Sequence, residues 1–196
     1  MNNLKTFLFI LISIFLFLGS TLSAQSKKSV KKHGIKSTSS TVTDLFGGKE
    51  ITYVESLDKF DKEGNIIEEI EYNRDGTFRK KVTRQYNKAG DITQEIKYDS
   101  KGAITEKVVI VYNDANDKLS EQKTDGNGKI IEWIKCGYDS MGEKIFELEL
   151  DEKGKTIRKS MYTYDKNGLK KERKIYNSKD ELISVKKYSY TTSHQE

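Results

Sequence analysis

A short turn signature repeats ten times along this chain, at spacings that alternate between 12 and 14 residues. The copies read FDKEG, YNRDG, YNKAG, YDSKG, YNDAN, TDGNG, YDSMG, LDEKG, YDKNG and YNSKD, and they begin at Phe60, Tyr72, Tyr86, Tyr98, Tyr112, Thr124, Tyr138, Leu150, Tyr164 and Tyr176. Together the two spacings define a 26-residue unit of two strands and two turns, and Tyr190 stands at the next expected position. A fixed period of this length indicates a repeat architecture. The signature itself carries no chemistry.

Each signature has the composition of a three-residue hairpin loop. Its second residue is always Asp or Asn, and its fifth residue is Gly in eight copies and Asn116 or Asp180 in the other two. A type I turn favours Asp or Asn at its first position, and Gly, Asn and Asp best tolerate the left-handed conformation that follows it. We therefore expect a G1 bulge in every turn, with Tyr72 opposite Phe78 in the second one.

The turn geometry also predicts which residues share a face. Opposed residues counted outwards from such a turn sum to an even number, and side chains alternate along a strand, so even-numbered residues should lie on one side. From residue 51 onward, 13 of the 15 aromatic residues are even-numbered, the exceptions being Tyr53 and Trp133. We predict an all-β antiparallel meander of about 11 strands, with the even face inside, as a coiled, spiral or nearly closed single sheet.

The segments outside the repeats have distinct compositions. Residues 1–24 have the basic start, apolar run and small residues before Ala24 of a signal peptide, so export to the periplasm or the extracellular space is expected. Residues 25–50 are predicted to be a basic, Ser/Thr-rich linker with at most one weak strand at 37–43. Residues 51–190 form the predicted repeat domain, and 191–196 a tail. A membrane-spanning role after signal cleavage is not expected, because each lipid-facing Lys or Arg would cost roughly 2–4 kcal/mol.

The Tyr-Asp/Asn-x-x-Gly units resemble the YD repeats of bacterial RHS-type proteins, whose strands wind into a β-shell. The motif is complete at residues 98–102, 138–142 and 164–168. The chain also resembles small secreted repeat proteins of Gram-negative bacteria that have no assigned activity. The resemblance implies an exported β-repeat protein and no particular chemistry.

The titratable residues do not form a pattern typical of an enzyme. His33 and His194, the two histidines, lie outside the repeats, and Cys136 is predicted to be a small core residue. Residues 125–128 resemble part of a calcium loop but lack the glutamate that completes one. We therefore expect no catalytic residue, no cofactor and no metal site.

Trp133 is the candidate contact for a partner. Its odd number predicts an outward position, and the same register places it between Glu121 and Glu149 on the neighbouring strands. An exposed tryptophan flanked by carboxylates suits a sugar or a protein surface. The alternative is a local cover for the sheet near Ile131.

The sequence is compatible with three functions. The first is a non-enzymatic binding or structural module, exported from the cell, with a cell-surface glycan or another exported protein as its partner. The second is a periplasmic carrier of a small apolar ligand inside the curled sheet, although polar residues are predicted to point inwards as well, namely Lys118, Gln122, Glu132, Arg158, Lys170, Glu172 and Lys174. The third is a partner of another exported protein through edge pairing at 181–190. Nucleic acid is not an expected partner, since the net charge is only +5 and the two signs are interleaved.

Overall fold

The structure is a computed structural model that describes residues 26–46 and 48–191. The predicted signal peptide, His194 and nearly all of the predicted tail lie outside the described residues. The described chain forms one short helix and twelve strands, which are α1 (Lys27–His33), β1 (Ser37–Phe46), β2 (Lys49–Phe60), β3 (Ile66–Tyr72), β4 (Phe78–Tyr86), β5 (Ile92–Tyr98), β6 (Ile104–Tyr112), β7 (Lys118–Asp125), β8 (Ile130–Tyr138), β9 (Lys144–Leu150), β10 (Thr156–Tyr164), β11 (Lys170–Asn177) and β12 (Leu182–Lys187).

All twelve strands belong to one antiparallel sheet in which spatial order equals chain order, from β1 to β12. Substantial contacts between elements join only consecutive strands, so the sheet does not fold back on itself as a sandwich. The sheet is not closed into a barrel, and β1 and β12 are its two edges. The prediction of an all-β antiparallel meander in a single sheet is confirmed, with one strand more than the approximate count.

The segment before the repeats is more ordered than the predicted linker. Helix α1 is capped by Ser26, whose hydroxyl accepts a bond from the Ser29 amide at 3.2 Å, and it ends at Gly34 in the left-handed conformation. The helix buries Val30 almost completely, with 1% of its surface exposed. It also approaches the β2–β3 turn closely, since a Cβ added to Gly64 would lie 2.6 Å from the Lys27 carbonyl oxygen. The predicted linker therefore contains helix α1, which was not predicted, and strand β1, which includes the predicted weak strand at 37–43.

The ten repeated turns have the predicted hydrogen bonding. In the β3–β4 turn, the Asn73 amide donates to the Thr77 carbonyl at 2.8 Å and the Gly76 amide donates to the Asn73 carbonyl at 2.9 Å. The residue at the equivalent of Gly76 has a positive φ in all ten turns, including Asn116 at 68° and Asp180 at 63°. The predicted pair of Tyr72 with Phe78 is also present.

The predicted sharing of one face by all even-numbered residues is wrong. Beyond the first pair of every repeated hairpin the register shifts by one residue, so that Tyr72 faces Phe78 but Glu71 faces Lys80. Arg79 is the extra residue, so two residues of β4 oppose one residue of β3. This is a second bulge, next to the turn. The same shift occurs in all ten repeated hairpins. Even-numbered residues of one strand therefore share a face with odd-numbered residues of the next.

The two faces of the sheet consequently differ from the prediction. The side that carries Glu69, Arg84, Glu95, Glu121 and Glu147 is named here the ion-pair face, and the other side is the reverse face. The apolar even-numbered residues divide between them, because those of even-numbered strands lie on the ion-pair face and those of odd-numbered strands on the reverse face. The strand residues that are best buried away from the strand ends belong to the ion-pair face, namely Val82, Cys136, Ser160 and Tyr162.

A tyrosine of every 26-residue unit ties neighbouring turns together along one end of the sheet. Its hydroxyl donates to the carbonyl of the first residue of the preceding strand, and Tyr112, for example, donates to Ile92 at 3.1 Å. The same bond, over a separation of 20 residues, is made from Tyr86 to Ile66, Tyr138 to Lys118, Tyr164 to Lys144 and Tyr190 to Lys170. Burial raises the pKa of the Tyr112 phenol, so the hydroxyl keeps its proton and remains a donor.

This tyrosine bond should contribute measurably to stability. Tyr112→Phe removes one side-chain hydrogen bond and should lower the unfolding free energy by about 1 kcal/mol, or the melting temperature by roughly 2–4 °C. Tyr98→Phe is the matched control, since Tyr98 opens a turn at the other end of the sheet and its hydroxyl makes no such bond among the described residues. Thermal denaturation of both variants checks the prediction, and equal melting temperatures would contradict it.

Candidate functional site

The ion-pair face is held together by a charge network that crosses strands β3 to β7. Arg84 is its centre, with Nε 2.8 Å from a Glu95 oxygen and Nη1 3.2 Å from a Glu69 oxygen. Lys97 continues the network to Glu106 at 2.8 Å, and Lys123 contacts the other Glu106 oxygen at 3.0 Å. Only 11% of the Arg84 side chain is exposed, so water screens its two ion pairs poorly.

The protonation equilibria follow from this arrangement. Burial and the charge of Glu69 raise the pKa of the Asp58 carboxyl, although Arg84 and other contacts lower it in part. Burial also acts to raise the pKa of Glu106, but Lys97 and Lys123 outweigh it and the pKa is lowered. For Arg84 itself, burial opposes the charged form, and the hydrogen bonds and charges of Glu95 and Glu69 raise its pKa in spite of that. The ion pairs therefore favour the charged forms of Arg84 and Glu106, whereas burial disfavours the charged form of Asp58.

A glutamate recurs on this face at one position of the repeat. The four residues are spaced 26 apart, at Glu69, Glu95, Glu121 and Glu147, and each has a basic partner. In the two later repeats the partner is a lysine three residues earlier, with Lys118 Nζ 2.7 Å from Glu121 and Lys144 Nζ 2.8 Å from Glu147. The Glu147 hydrogen bond and charge outweigh burial and raise the pKa of Lys144.

The fifth repeat breaks this pattern. Position 173 holds arginine where the four earlier repeats hold glutamate, while Lys170 keeps the place of Lys118 and Lys144. Arg173 lies directly opposite Tyr162 on β10 and Lys186 on β12. Within residues 26–46 and 48–191, none of Lys170, Arg173 and Lys186 forms an ion pair. These three cations, with Tyr162 and Ser160, are named here the cationic cluster.

Tyr162 lies at the centre of the cationic cluster. Its ring centroid is 4.7 Å from Lys170 Nζ and 5.7 Å from Arg173 Cζ, and Lys144 Nζ lies 5.6 Å away. Arg173 is held against β10, because its Nε and Nη2 donate to the Ser160 hydroxyl at 3.2 and 3.0 Å. Burial and the charge of Glu147 raise the pKa of the Tyr162 phenol above its usual value, so the ring adds no negative charge. The cluster therefore holds positive charge that cation–π contacts only partly offset.

The predicted contact site around Trp133 is not assembled as expected. Because of the register shift, Trp133 lies opposite Gln122 and Leu150 on the reverse face. Glu121 and Glu149 lie opposite Ile134 on the ion-pair face, where their partners are Lys118 and Arg158. The placement of the tryptophan between these two carboxylates is thus corrected.

Trp133 is also less available than predicted. It is half-buried, its ring lies 4.9 Å from Lys135 Nζ, and a Cβ on Gly154 would be 3.3 Å from its ring carbon Cζ3. The indole therefore packs over the β9–β10 turn in addition to the sheet. This position agrees with the alternative of a local cover, although that cover extends to Gly154 and not only to the neighbourhood of Ile131.

Cys136 and Asp125 lie in surroundings that favour a structural role. Burial raises the pKa of the Cys136 thiol, which opposes formation of a nucleophilic thiolate. The Asp125 carboxylate accepts bonds from the amides of Asn127 and Lys129, both at 2.9 Å, so it closes its own turn. Among the residues that the structure describes, no group of three His, Cys, Asp or Glu side chains could hold a metal ion. Within the same part of the chain, no helix is long and apolar enough to cross a membrane.

Two clefts lie at the first repeats, away from the cationic cluster. One, of about 500 Å³, is lined by β1, β2 and the β3–β4 turn, with Tyr53, Leu57 and Tyr72 among its residues. The other, of about 1010 Å³, lies between α1 and the β2–β3 and β4–β5 turns and includes Lys31 and Arg84, which already pair with glutamates. Neither is an enclosed apolar cavity of the kind that a carrier needs.

Comparison with known proteins does not assign a family. No family model and no curated protein matches the chain. A porin-like protein from Bacteroides uniformis is similar at 11% identity and a TM-score of 0.42, with 71% of this chain and 70% of that chain covered. The Tc holotoxin pore of Photorhabdus luminescens is similar at 11% identity and a TM-score of 0.27, covering 76% of this chain but 11% of that chain. A Bacteroides fragilis protein of unknown function has 14% identity and a TM-score of 0.20, covering 78% and 93%. These likenesses are weak, and the resemblance to YD repeats stays a prediction.

Arg84 should prove essential to the ion-pair face, in a way that depends on pH. Arg84→Met leaves Glu69 and Glu95 close together beside Asp58 and should cost about 2–3 kcal/mol at pH 7. Without the guanidinium, the carboxylates repel one another in the folded state, so protonation relieves the deficit and stability is recovered as the pH falls towards about 4. Urea denaturation at pH 7 and pH 5 measures the difference.

Arg79→Met is the control for this variant. Arg79 is largely exposed and contacts Glu71 at 3.4 Å, so its loss should cost less than about 1 kcal/mol and show little recovery at pH 5. A deficit of Arg84→Met that stays the same at both pH values would show that unpaired carboxylates are not its cause.

Proposed function

We propose that this protein is an exported, non-enzymatic β-repeat module that binds an acidic protein partner through β10–β12. The observation that carries the proposal is the cationic cluster. There the fifth repeat has arginine at the position where each of the four earlier repeats has a glutamate paired with a basic residue. Residues that keep the repeat pattern serve the fold, so a residue that breaks the pattern is expected at a functional site.

The cationic cluster brings like charges together. Arg173 and Lys186 are like charges directly opposite each other on neighbouring strands, an arrangement that destabilises a sheet. Lys170 lies nearby without a carboxylate. An acidic partner would relieve this repulsion when it binds, and the opposite potentials would also speed its association.

An acidic protein segment suits the surroundings better than the other ligand classes. The cluster adjoins β12, an edge strand that pairs only with β11 and leaves Leu182, Ile183 and Val185 exposed. An added strand would gain main-chain bonds along that edge and place acidic side chains beside Lys186. Sugars commonly stack on tyrosine rings, but the Tyr162 ring is already in contact with Lys170 and Arg173.

The observed register removes the apolar lining on which the alternative of a carrier was based. The continuous aromatic and aliphatic lining that it requires assumed that even-numbered residues share one face. Those residues divide between the two faces, and the ion-pair face is crossed by charged side chains from β3 to β11.

The proposal is tested by comparing ligand classes on the purified chain. Calorimetry at about 0.15 M ionic strength would use poly-L-glutamate, hyaluronate, a DNA duplex and phosphatidylglycerol vesicles as probes. We expect binding to poly-L-glutamate, weakened about tenfold or more in Lys170→Ala/Lys186→Ala. Lys101→Ala/Lys153→Ala removes the same charge from exposed turns at the other end of the sheet and should bind nearly as tightly as the parent. Equal loss in both variants, or stronger binding of any other probe, would contradict the proposal.

A further inference from the structure

We infer that a carboxylate of the partner binds beside Lys170, where position 173 holds arginine instead of the glutamate of the earlier repeats. The inference rests on the proposed function and specifies the group that is recognised. In this view the partner supplies, from a second molecule, the carboxylate that earlier repeats carry in their own chain.

In two earlier repeats, the lysine at the position of Lys170 pairs with a carboxylate of its own chain. Lys118 and Lys144 each reach the glutamate three residues later, at 2.7 and 2.8 Å. Each lysine follows one of the repeated turns and opposes the tyrosine that opens it, Tyr112 in one case and Tyr138 in the other. The lysine and its acceptor are thus placed by the same backbone elements in both repeats.

Lys170 is placed by the same elements. It opposes Tyr164 across the β10–β11 turn, and its carbonyl accepts a bond from the Tyr190 hydroxyl at 2.7 Å. The carbonyls of Lys118 and Lys144 accept the equivalent bonds at 3.0 and 2.9 Å. The ammonium group of Lys170 therefore starts from the same backbone position as the two paired lysines. Among the described residues it forms no ion pair, and it lies 4.7 Å from the Tyr162 ring centroid and 5.9 Å from that of Tyr188.

Arg173 places a fixed guanidinium against the same Tyr162 ring that Lys170 contacts. Two of its nitrogens are engaged by the nearly inaccessible Ser160 hydroxyl, which fixes the guanidinium next to Tyr162. Lys170 and Lys186 are the other cations of the cluster, and Lys186 lies directly across from Arg173 on β12. A guanidinium next to an ammonium favours a carboxylate, which accepts bonds on two oxygens.

Restoring the glutamate tests this inference directly. Arg173→Glu recreates the pairing of Lys118 with Glu121, now between positions 170 and 173, and removes the repulsion of Lys186. We expect a higher melting temperature than that of the parent and a loss of about tenfold or more in affinity for an octaglutamate peptide. Lys101→Glu changes the net charge by the same amount at an exposed turn and should bind within about threefold of the parent.

The outcomes separate this inference from the proposed function. If Arg173→Glu neither gains stability nor loses affinity, the partner's carboxylate does not bind beside Lys170, even where Lys170→Ala/Lys186→Ala has already confirmed acidic binding. Inorganic phosphate that binds the parent as well as the peptide does would also overturn the inference, because a carboxylate is then not the group selected. Should Arg173→Glu fail to fold, Lys170→Gln keeps the size of the side chain without its charge, and undiminished peptide affinity in that variant would be equally decisive.

Discussion

The left-handed residue that closes each turn is the constraint on which this structure depends. Gly, Asn or Asp at that position completes a type I turn, and the same backbone bonds recur in all ten hairpins. The second bulge follows at once, so all ten repeated hairpins have the same one-residue shift. Because the local geometry is uniform, the eleven strands from β2 to β12 assemble in chain order without any long-range connection.

How far the sequence predicts this fold can be judged from particular elements. The turns, the strand order and the pairing of Tyr72 with Phe78 follow from local chemistry, since Asp, Asn and Gly each have a specific role in such a turn. The shift at Arg79 does not, because no residue type is required at the extra position. Helix α1 was also missed: seven residues with four lysines show no amphipathic period, and the helix is held by its caps and by Val30.

The candidate site depends on the same distinction. The glutamates at 69, 95, 121 and 147 and the arginine at 173 are visible in the sequence at the repeat period, and that signal would have drawn attention to the fifth repeat. Which side of the sheet they occupy, and what lies opposite, requires the register. The predicted placement of Trp133 between Glu121 and Glu149 was wrong for that reason, since a shift of one residue moved both glutamates to the other face.

The register at Trp133 is the most direct test of this account. Nuclear Overhauser contacts from the indole ring would be recorded in a uniformly labelled sample of the whole chain. The shifted register predicts contacts between the indole and the Leu150 methyl groups, which lie directly across from it, and none to the side chains of Glu121 and Glu149. Contacts to those two glutamates without any to Leu150 would contradict the shifted register, and with it both faces of the sheet as described.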